Sequence, residues 1–489
     1  MMLTRARCKL LKNGGVSGNG SFGLYSTEAS LSLENQLLRI VDPRTSIVPI
    51  LNQWVEEGRD VTQSVLTRLV IRLSRIHRFS HALQVSEWMS NERKCDLSLG
   101  DFANRIHLIS KVRGVEQAER FFRDIPDDKL DFKVYAALLK CYTAHKSLED
   151  AETIMKKIQK MRHVHESACY NMMLKLYAEM GKYEKLDRLM EEMIAKDICH
   201  AYSYNIRLNA YVAATDIKGM EKLLMQMEVD PTATVDWCIY TTAANGYLKV
   251  GNLEKAATML KRSEHLARGK NRKLAYESLL TIYAAIGNKD EVYRLWNRCK
   301  SLYISYNSTY LSMLCSLWKL KDIEGAEKVL EEWESISTRF DYRIPNLMIS
   351  AYCKCGQVHK AEAYIKRLLD SGKALGGYAW HSLASGYHMD NDMEKAVQTM
   401  KKAILAQRLG RRPSPLTLIA CIKYLKENRN LDLALDILKL CVQQGTISLT
   451  YYNGLVSYLH SEMPDIEPLD LIKEDFDIGE NAQLLDGEN

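Results

Sequence analysis

A tyrosine that returns every 34 to 36 residues is the feature that most constrains how this chain can fold. The members of the series are Tyr142, Tyr177, Tyr211, Tyr247, Tyr283, Tyr352 and Tyr387, with Leu317 taking one turn. Most positions in the series follow another aromatic residue by seven places: Tyr135, Tyr170, Tyr204, Tyr240, Tyr276, Tyr310 and Trp380. Such spacing indicates that one supersecondary unit is stacked repeatedly and that each repeat buries its apolar face against its neighbours.

Within a repeat, the apolar spacing indicates a helix followed by a second helix. The i, i+3, i+4 and i+7 positions of one helical face are apolar or aromatic: Tyr170, Met173, Leu174 and Tyr177. In several repeats a glycine such as Gly181 follows the tyrosine, where a left-handed backbone can end one helix before the next begins. Each repeat is therefore predicted to be a helical hairpin, and the fold class is predicted to be all-α.

Cysteine usage and hydropathy argue against several classes of protein. The 12 cysteines are spread singly without a CxxC pair, so neither a disulfide framework nor a zinc cluster is predicted, and no cofactor is expected. His77 and His81 lie one helical turn apart, but no third ligand accompanies them, and no metal site is predicted. No apolar run approaches the roughly 18 residues of a membrane span, so no such span is expected.

The two ends of the chain differ from its body in charge. Residues 1–30 carry four basic residues and one acid and are rich in glycine and serine. This composition is typical of a cleaved mitochondrial import segment, with a chloroplast address or an N-terminus without any address as alternatives. Residues 464–489 carry nine acids and one lysine and are predicted to be a disordered tail. The body, 31–463, has a net charge of +11, which is compatible with a polyanionic partner.

The residues around the repeating tyrosine match a known type of helical repeat. One repeat contains the pair Tyr170-Asn171, then Tyr177, Gly181 and the run 190–193, within a period of about 35 residues. These features resemble the pentatricopeptide repeat family, in particular the P-type class of plant organelles. Tetratricopeptide repeats instead have a small residue at the position where this chain has leucine: Leu139, Leu174, Leu208, Leu280 and Leu314. The resemblance implies a right-handed superhelical solenoid of helix-turn-helix repeats of about 35 residues.

The register of the aromatic residues divides the chain into repeats. Residues 31–62 are predicted to be a helical lead-in, and 63–131 two degenerate repeats in which Ala82 and Ala118 hold the place of the second-helix alanine. Nine repeats follow within 132–448: 132–166, 167–200, 201–236, 237–272, 273–306, 307–341, 342–376, 377–414 and 415–448. Residues 449–463 are predicted to be a partial repeat or capping helix.

The resemblance implies a site that binds single-stranded organellar RNA. In this family about one base is recognised per repeat, by the fifth residue of the first helix and the last residue of the repeat. Carried over to this chain, the base-facing candidates are Asn171, His200, Asn205, Asp236, Thr241, Arg272 and Asn346. Only Asn205 with Asp236 matches a well-formed pair, which by resemblance favours uracil. Ala136, Leu311 and Ile419 also hold fifth positions but cannot hydrogen-bond a base, so low sequence specificity is expected.

Further candidates for contact with RNA lie at other positions of the first helices. Contact with phosphate groups, or equally a solvated helix end, is predicted for three lysines at one late position: Lys249, Lys319 and Lys354. Stacking on bases is predicted for three residues that flank the base-facing position: Tyr202, Arg343 and Tyr378. The tyrosine series itself is predicted to pack in the core.

No enzymatic activity is predicted, and no catalytic residue or small-molecule substrate is assigned. His460 and Glu462 match the HxE of zinc deaminases, but no cysteine follows Cys441, so their zinc site cannot be built. Two functions stay open. The first is an organellar RNA-binding protein that acts in transcript stability, processing or translation. The alternative is a protein-interaction scaffold, associated with the mitochondrial ribosome or with other RNA-processing proteins, which an exposed apolar stripe in the groove would favour.

Overall fold

The structure is a computed structural model that describes residues 33–40, 45–59, 61–93, 95–161, 167–229, 235–302, 304, 306–337, 340–406 and 415–460. The predicted import segment and the predicted acidic tail lie outside these residues. Throughout the described part, the secondary structure consists of helices without a strand, which confirms the all-α class. The chain divides into two compact units, Met1–His145 and Lys146–Asn489, called here the N-terminal unit and the C-terminal unit.

The described residues of the N-terminal unit form seven α-helices: α1 (Leu33–Arg39), α2 (Val48–Glu56), α3 (Gln63–Arg75), α4 (Phe79–Asn91), α5 (Leu99–Arg113), α6 (Val115–Arg123) and α7 (Phe132–Ala144). Helix α5 packs against α3, α4, α6 and α7. Its start is fixed by a reciprocal cap, because Ser98 Oγ accepts from Asp101 N and Asp101 Oδ2 accepts from Ser98 N. Asp101 also links α5 to α3, since Thr67 Oγ1 donates to Asp101 Oδ1 at 3.0 Å.

The C-terminal unit is an alternation of first and second helices of successive hairpins. Its first helices are α9 (Ser167–Glu179), α11 (Ala201–Ala213), α13 (Trp237–Lys249), α15 (Arg272–Ile286), α17 (Asn307–Lys319), α19 (Arg343–Lys354), α21 (Gly377–Met389), α23 (Pro415–Glu427) and α25 (Leu449–His460). Its second helices are α8 (Leu148–Gln159), α10 (Tyr183–Ala195), α12 (Ile217–Val229), α14 (Leu253–Leu266), α16 (Lys289–Ser301), α18 (Ile323–Ile336), α20 (Val358–Asp370), α22 (Met393–Leu405) and α24 (Leu431–Gln443). From α9 to α23, each first helix packs on the next one, and together they are called the first-helix layer.

A short turn with one left-handed residue joins the two helices of a hairpin. Gly181, Gly251 and Gly356 have φ angles of 65°, 77° and 69° in these turns, as the sequence predicts. Where the glycine is missing, other residues take the same conformation with φ between 56° and 60°: Thr215, Lys321, Asn391 and Arg429. The packing of the two helices therefore imposes this turn even on residues for which a positive φ is strained.

The repeating tyrosines lie in the core, as predicted, except that Tyr211 is only half-buried. Their hydroxyl groups reach the second helices and join a charged pair there. Tyr177 Oη donates to Glu152 Oε1 of α8 at 3.2 Å, and Lys185 Nζ of α10 lies 2.6 Å from the same oxygen. The tyrosine of one repeat thus bridges the second helices of two consecutive hairpins.

This arrangement of tyrosine, glutamate and lysine recurs along the C-terminal unit and is called the second-helix ladder. Tyr247 Oη donates to Glu221 Oε1 at 2.9 Å, and Lys255 Nζ lies 2.7 Å from that oxygen. Burial, and then the adjacent Glu221, raises the pKa of Tyr247 to about 12, so the hydroxyl keeps the proton that it donates. The equivalent groups of two later repeats are Tyr352, Glu327 and Lys360, and Tyr387 with Glu362.

The second-helix ladder is interrupted at three positions of the series, at Leu317, which has no hydroxyl, at Tyr211, where Gly219 replaces the lysine, and at Tyr283. Ala257 of α14 stands 26 residues before Tyr283, the spacing that separates Glu221 from Tyr247. Tyr283 Oη is consequently buried without a hydrogen-bond partner among the described residues. A buried hydroxyl without a partner costs about 1–3 kcal/mol of stability.

None of the helices in the described ranges combines the length and apolar character that crossing a bilayer requires. The same residues hold no group of three His, Cys, Asp or Glu side chains arranged to bind a metal ion. His81 is buried in α4, where its Nε2 lies 3.1 Å from the carbonyl oxygen of Thr45.

Candidate nucleic-acid interface

Two fifth-position asparagines of the first helices each contact the first helix of the next repeat. Asn171 on α9 is 8% exposed, and its Oδ1 accepts a hydrogen bond from Ser203 Oγ of α11 at 2.8 Å. Asn205 on α11 repeats this contact, because its Oδ1 accepts from Thr242 Oγ1 of α13 at 2.7 Å. The neighbouring helix thereby fixes the orientation of each amide.

The structure brings Asn205 and Asp236 together at one residue, Cys238. Asn205 Nδ2 lies 3.3 Å from Cys238 Sγ as a donor. Asp236 is the N-cap of α13, where its Oδ1 accepts from the backbone N of Cys238 at 3.0 Å and of Ile239 at 3.2 Å. Burial, and then Asp236, raises the pKa of the Cys238 thiol, so this sulfur stays neutral. An amide and a carboxylate, both with remaining acceptor capacity, thus each contact Cys238 at the start of α13.

The pair Asn171 and His200 is arranged in a similar way around Ser203. The Ser203 hydroxyl that donates to Asn171 lies 3.5 Å from the backbone N of His200, which is the N-cap residue of α11. The His200 side chain is exposed. The two candidates therefore lie on either side of one serine, with the imidazole facing solvent.

Thr241 and Arg272 are separated by the local structure. Thr241 is 5% exposed, and its hydroxyl donates to the carbonyl of Cys238 in the preceding turn of α13. Arg272 is the first residue of α15 and lines a cavity with Tyr276, one helical turn further on. No hydrogen bond joins Thr241 to Arg272 in the part of the chain that the structure describes.

Asn346 carries an acceptor that is shielded from solvent. Its side chain is half-buried on α19, and its Oδ1 has no hydrogen-bond partner among the described residues. Gly376, the last residue of the same repeat, offers no side chain. A buried acceptor without a hydrogen bond destabilises the protein. A ligand that donates a hydrogen bond to Asn346 Oδ1 removes this free-energy cost.

Sequence reasoning did not select Glu277, although it is one of the best-anchored fifth-position residues. Its Oε1 accepts from Ser308 Oγ at 2.8 Å and from Thr309 Oγ1 at 2.9 Å, both on α17. Lys273 Nζ lies 3.9 Å from that carboxylate and 4.8 Å from the centre of the Tyr306 ring. The sequence feature that could have revealed Glu277 is Thr309, a hydroxyl residue 32 positions later. The same spacing separates Asn171 from its partner Ser203.

The three candidate phosphate contacts differ in what holds them. Lys249 Nζ donates to the carbonyl oxygens of Val212 at 3.1 Å and Ala213 at 2.9 Å, so it caps the C-terminus of α11. Lys319 and Lys354 end α17 and α19, are exposed, and form no ion pair with a carboxylate of the described residues. Those two ammonium groups are available to an anion.

The three candidate stacking residues are all exposed. Tyr202 is 61% exposed on α11 and Tyr378 is 41% exposed on α21. The Arg343 guanidinium is held by Asp341, with Nη2 2.8 Å from Oδ2 and Nε 3.1 Å from Oδ1. Leu274 and Leu416 hold the same position of other first helices and are each 57% exposed, which sequence reasoning did not single out.

The sequence is similar to those of known repeat proteins. The sequence profile of the PPR repeat matches residues 168–198, 238–264, 308–337 and 344–372. A mitochondrial pentatricopeptide repeat-containing protein of Arabidopsis thaliana is 41% identical over 421 residues, which cover 85% of each chain. A second such mitochondrial protein of Arabidopsis thaliana is 34% identical over 394 residues, with 80% of each chain covered.

The chain is similar to the pentatricopeptide repeat protein PPR10 in a crystal structure in complex with an 18-nt psaJ RNA element, with 19% identity and a TM-score of 0.47. The match covers 84% of this chain and 58% of that one. The structure of yeast Rmd9p in complex with a 16-nt target RNA matches with 13% identity and a TM-score of 0.38, over 87% of this chain and 84% of that one.

Proposed function

This protein belongs to the pentatricopeptide repeat family, and on that premise we propose that it binds single-stranded RNA along its first-helix layer. The observation that carries the proposal is the meeting of Asn205 and Asp236 at Cys238, where two side chains can address one base. The names of two mitochondrial relatives and the basic residues 1–30 support the mitochondrion as the compartment. The proposed role is non-catalytic and serves the stability, processing or translation of a transcript.

RNA recognition would use the hydrogen-bond donors and acceptors that are not occupied by contacts within the protein. The Asn205 amide offers a second acceptor lone pair and a remaining N–H to a Watson–Crick edge, and Asp236 Oδ2 offers an acceptor beside it. Tyr202 and Tyr378 present aromatic faces on which bases stack, a contact worth about 1–3 kcal/mol per base. Lys319 and Lys354 supply positive charge to the phosphates.

Repeats in which the fifth residue is apolar are expected to contribute affinity without selectivity. Leu311 and Ile419 offer no hydrogen bond to a base. His381 is neutral near pH 7, since burial lowers its pKa to about 4. Selectivity is therefore concentrated in the repeats of Asn171, Asn205 and Asn346, and the overall sequence preference is low.

The proposal is tested by selecting RNA from a random pool with the wild-type protein and then measuring affinity by fluorescence anisotropy. Replacing Asn205 and Asp236 with alanine is expected to cost about 1–3 kcal/mol on the selected RNA and to leave affinity for an unselected RNA nearly unchanged. The reason is that these side chains contact the base, whereas the charge that attracts any RNA is retained.

A matched control uses the same residue types on a second helix. Asp290 and Asn297 are both exposed on α16, away from the first-helix layer, so their double replacement with alanine should leave both affinities as in the wild type. An equal loss on every RNA in the Asn205 and Asp236 variant would contradict base recognition by this pair. A selection that enriches no RNA at all would contradict the proposed function.

The alternative function, a protein-interaction scaffold, is favoured by a different surface of the C-terminal unit. Ile194, Met225 and Val229 are 48%, 66% and 83% exposed around a cavity of about 620 Å³ beside α12. Exposed apolar clusters of this kind mark sites of association with other proteins. They lie on second helices and not in the first-helix layer.

Crosslinking and immunoprecipitation from isolated mitochondria separates the two functions. A sharp footprint on a few transcripts is expected for an RNA-binding protein. Recovery of ribosomal RNA together with a full set of ribosomal proteins, abolished by Met225→Ser, would favour the scaffold instead.

A further inference from the structure

A cavity of about 400 Å³ in the C-terminal unit lies between α14, α15 and α16. The side chains that matter for its chemistry are Lys261, His265, Arg268, Arg272, Tyr276 and Arg298. Four of these six carry a fixed positive charge, and its volume falls within the range of small-ligand sites. No residue of this cavity other than Arg272 belongs to the candidate nucleic-acid interface.

The carboxylate at this cavity is already neutralised by another arginine. Glu264 accepts a two-pronged contact from Arg294, with Nη2 2.5 Å from Oε2 and Nη1 3.1 Å from Oε1. Arg298 Nε lies farther from it, at 3.8 Å. Lys261, Arg268 and Arg272 form no ion pair with any described carboxylate, so the cavity keeps an excess of positive charge.

The position of Arg272 follows from an extra turn of 3₁₀ helix, Gly269–Asn271. This turn leads directly into α15, whose N-cap, Asn271, has helical backbone angles, whereas the N-caps His200 and Asp236 are extended. Arg272 is therefore already helical and lies four residues before Tyr276, on the same face of α15. The N-terminus of this 15-residue helix adds a partial positive charge at the cavity.

In the lining of the cavity, an arginine replaces the carboxylate that other repeats place beside the equivalent tyrosine. Glu192 and Glu332 lie 22 residues after Tyr170 and Tyr310 and accept their hydroxyl protons at 3.0 Å. The residue 22 positions after Tyr276 is Arg298, whose Nε donates to Tyr276 Oη at 2.8 Å. Because this phenol accepts from Arg298, its own proton is free to be donated to an anion in the cavity.

We propose that this cavity is a binding site for a phosphate group. Guanidinium groups match phosphate oxygens with paired N–H donors, and Arg268, Arg272 and Arg298 supply three of them, with Lys261 and Tyr276 as further donors. The proposal does not depend on RNA binding by the first-helix layer. The phosphate group belongs either to an RNA strand or to a small phosphorylated compound, and both sources share the chemistry that the cavity recognises.

The test uses inorganic pyrophosphate as the probe in isothermal titration calorimetry on the full chain. Binding by the wild type is expected to be saturable and to weaken about tenfold or more when Lys261, Arg268 and Arg272 are all changed to glutamine. The matched control changes Lys218, Lys222 and Lys328 to glutamine, three exposed lysines of α12 and α18, and should bind pyrophosphate like the wild type. Should the triple variant not fold, Arg268→Gln alone is expected to weaken binding about threefold, since Arg268 is exposed outside any helix.

A second arm identifies the source of the phosphate by measuring affinity for single-stranded RNA. A loss of RNA affinity in the double variant Lys261→Gln and Arg268→Gln, which leaves the base-facing candidate Arg272 in place, with pyrophosphate competing against RNA, assigns the site to RNA phosphates. Unchanged RNA affinity with lost pyrophosphate binding assigns it to a small phosphorylated compound. Equal pyrophosphate binding by the triple variant and the control, or no binding by the wild type, overturns the proposal and leaves RNA binding by the first-helix layer unaffected.

Discussion

The second-helix ladder and the first-helix layer of the C-terminal unit are built with opposite degrees of regularity. In the ladder, the same set of tyrosine, glutamate and lysine recurs in four repeats, with the lysine eight residues after the tyrosine, and its members satisfy one another, as Tyr247, Glu221 and Lys255 do. In the first-helix layer, the fifth position changes from asparagine to threonine, glutamate, leucine and histidine along the chain. Regular chemistry marks the side that holds the repeats together, and variable chemistry marks the side that is free to contact something else.

The two sides also differ in where polar groups find their partners. A ladder glutamate such as Glu152 is satisfied by groups of its own protein, Tyr177 Oη and Lys185 Nζ. The first-helix layer leaves capacity unused, of which Asn346 Oδ1 is the clearest example. The ladder also has one buried group without a partner among the described residues, Tyr283 Oη, but Asn346 lies in the layer that we propose binds RNA, where a ligand can supply the missing donor.

The largest difference in stability between the two sides is expected at acidic pH. It arises from His381 in the first-helix layer. Burial lowers its pKa in the folded state to about 4, against about 6.5 in an unfolded chain. Between these values the unfolded chain binds a proton that the folded chain does not, so stability is fully present above about pH 6.5 and falls as the pH drops towards 4. His381→Asn is expected to reduce the loss of unfolding free energy between pH 7 and 4.5 by on the order of 2 kcal/mol, measured by urea denaturation at each pH.

His107 of the N-terminal unit titrates over the same pH range. It accounts for the loss of unfolding free energy at acidic pH that remains in the His381→Asn variant. Burial, followed by Lys140 and Lys111, lowers its pKa to about 4. The matched control is His359→Asn on the exposed face of α20, which should leave the acid loss as in the wild type. A wild-type and a His381→Asn profile that run parallel would show that His381 does not stay neutral in the folded protein.

The sequence predicted the architecture better than the site because packing leaves a periodic signal and local hydrogen bonding does not. The spacing from Tyr142 to Tyr387 is sufficient to predict hairpins, since each tyrosine must return to the same face of the core. The left-handed turn at Lys321 could not be predicted in this way, because two packed helices impose it on a residue that does not favour it.

The sequence assigns the candidate site as a set of positions, which stays a prediction, and the contacts of these residues are seen only in the structure. Asn205 and Asp236 could be paired from their places in the repeat, whereas the Cys238 atoms that join them appear only in three dimensions. Arg272 holds the same place in its repeat as Asp236, yet the 3₁₀ turn before α15 puts it beside Tyr276. A three-residue 3₁₀ turn has no sequence signature strong enough to reveal this change.

A smaller effect is expected from breaking one rung of the second-helix ladder. Glu221→Ala removes the acceptor of the buried Tyr247 hydroxyl and the partner of Lys255, and should lower the free energy of unfolding by about 1–2 kcal/mol at pH 7. The control is Glu331→Ala on α18, an exposed glutamate without an ion pair to the described residues, with an expected change within about 0.5 kcal/mol. Equal effects of the two substitutions would mean that the rung adds nothing to stability.

The same rung has a defined pH dependence. Hydrogen bonds from Lys255 and then from Tyr247 lower the pKa of Glu221 in the folded state. The stabilisation is therefore present above the unfolded value of about 4.3 and is lost as the pH falls through the lower folded value. The difference between the wild type and Glu221→Ala should accordingly persist down to about pH 5 and shrink below pH 4, which urea denaturation at each pH measures.

The smallest change in unfolding free energy is expected from giving the Tyr283 hydroxyl the hydrogen-bond acceptor that it lacks. Ala257→Gln places an acceptor where the other rungs have glutamate and should raise the free energy of unfolding by about 0.5–1.5 kcal/mol, measured by urea denaturation. Ala257→Glu is the sharper comparison, because the residue 34 positions on, where the rung of Glu221 has Lys255, is Glu291. The added carboxylate would meet a like charge and should stabilise less than the amide does. If both substitutions destabilise equally, the ladder owes its regularity to something other than satisfying the tyrosine hydroxyl.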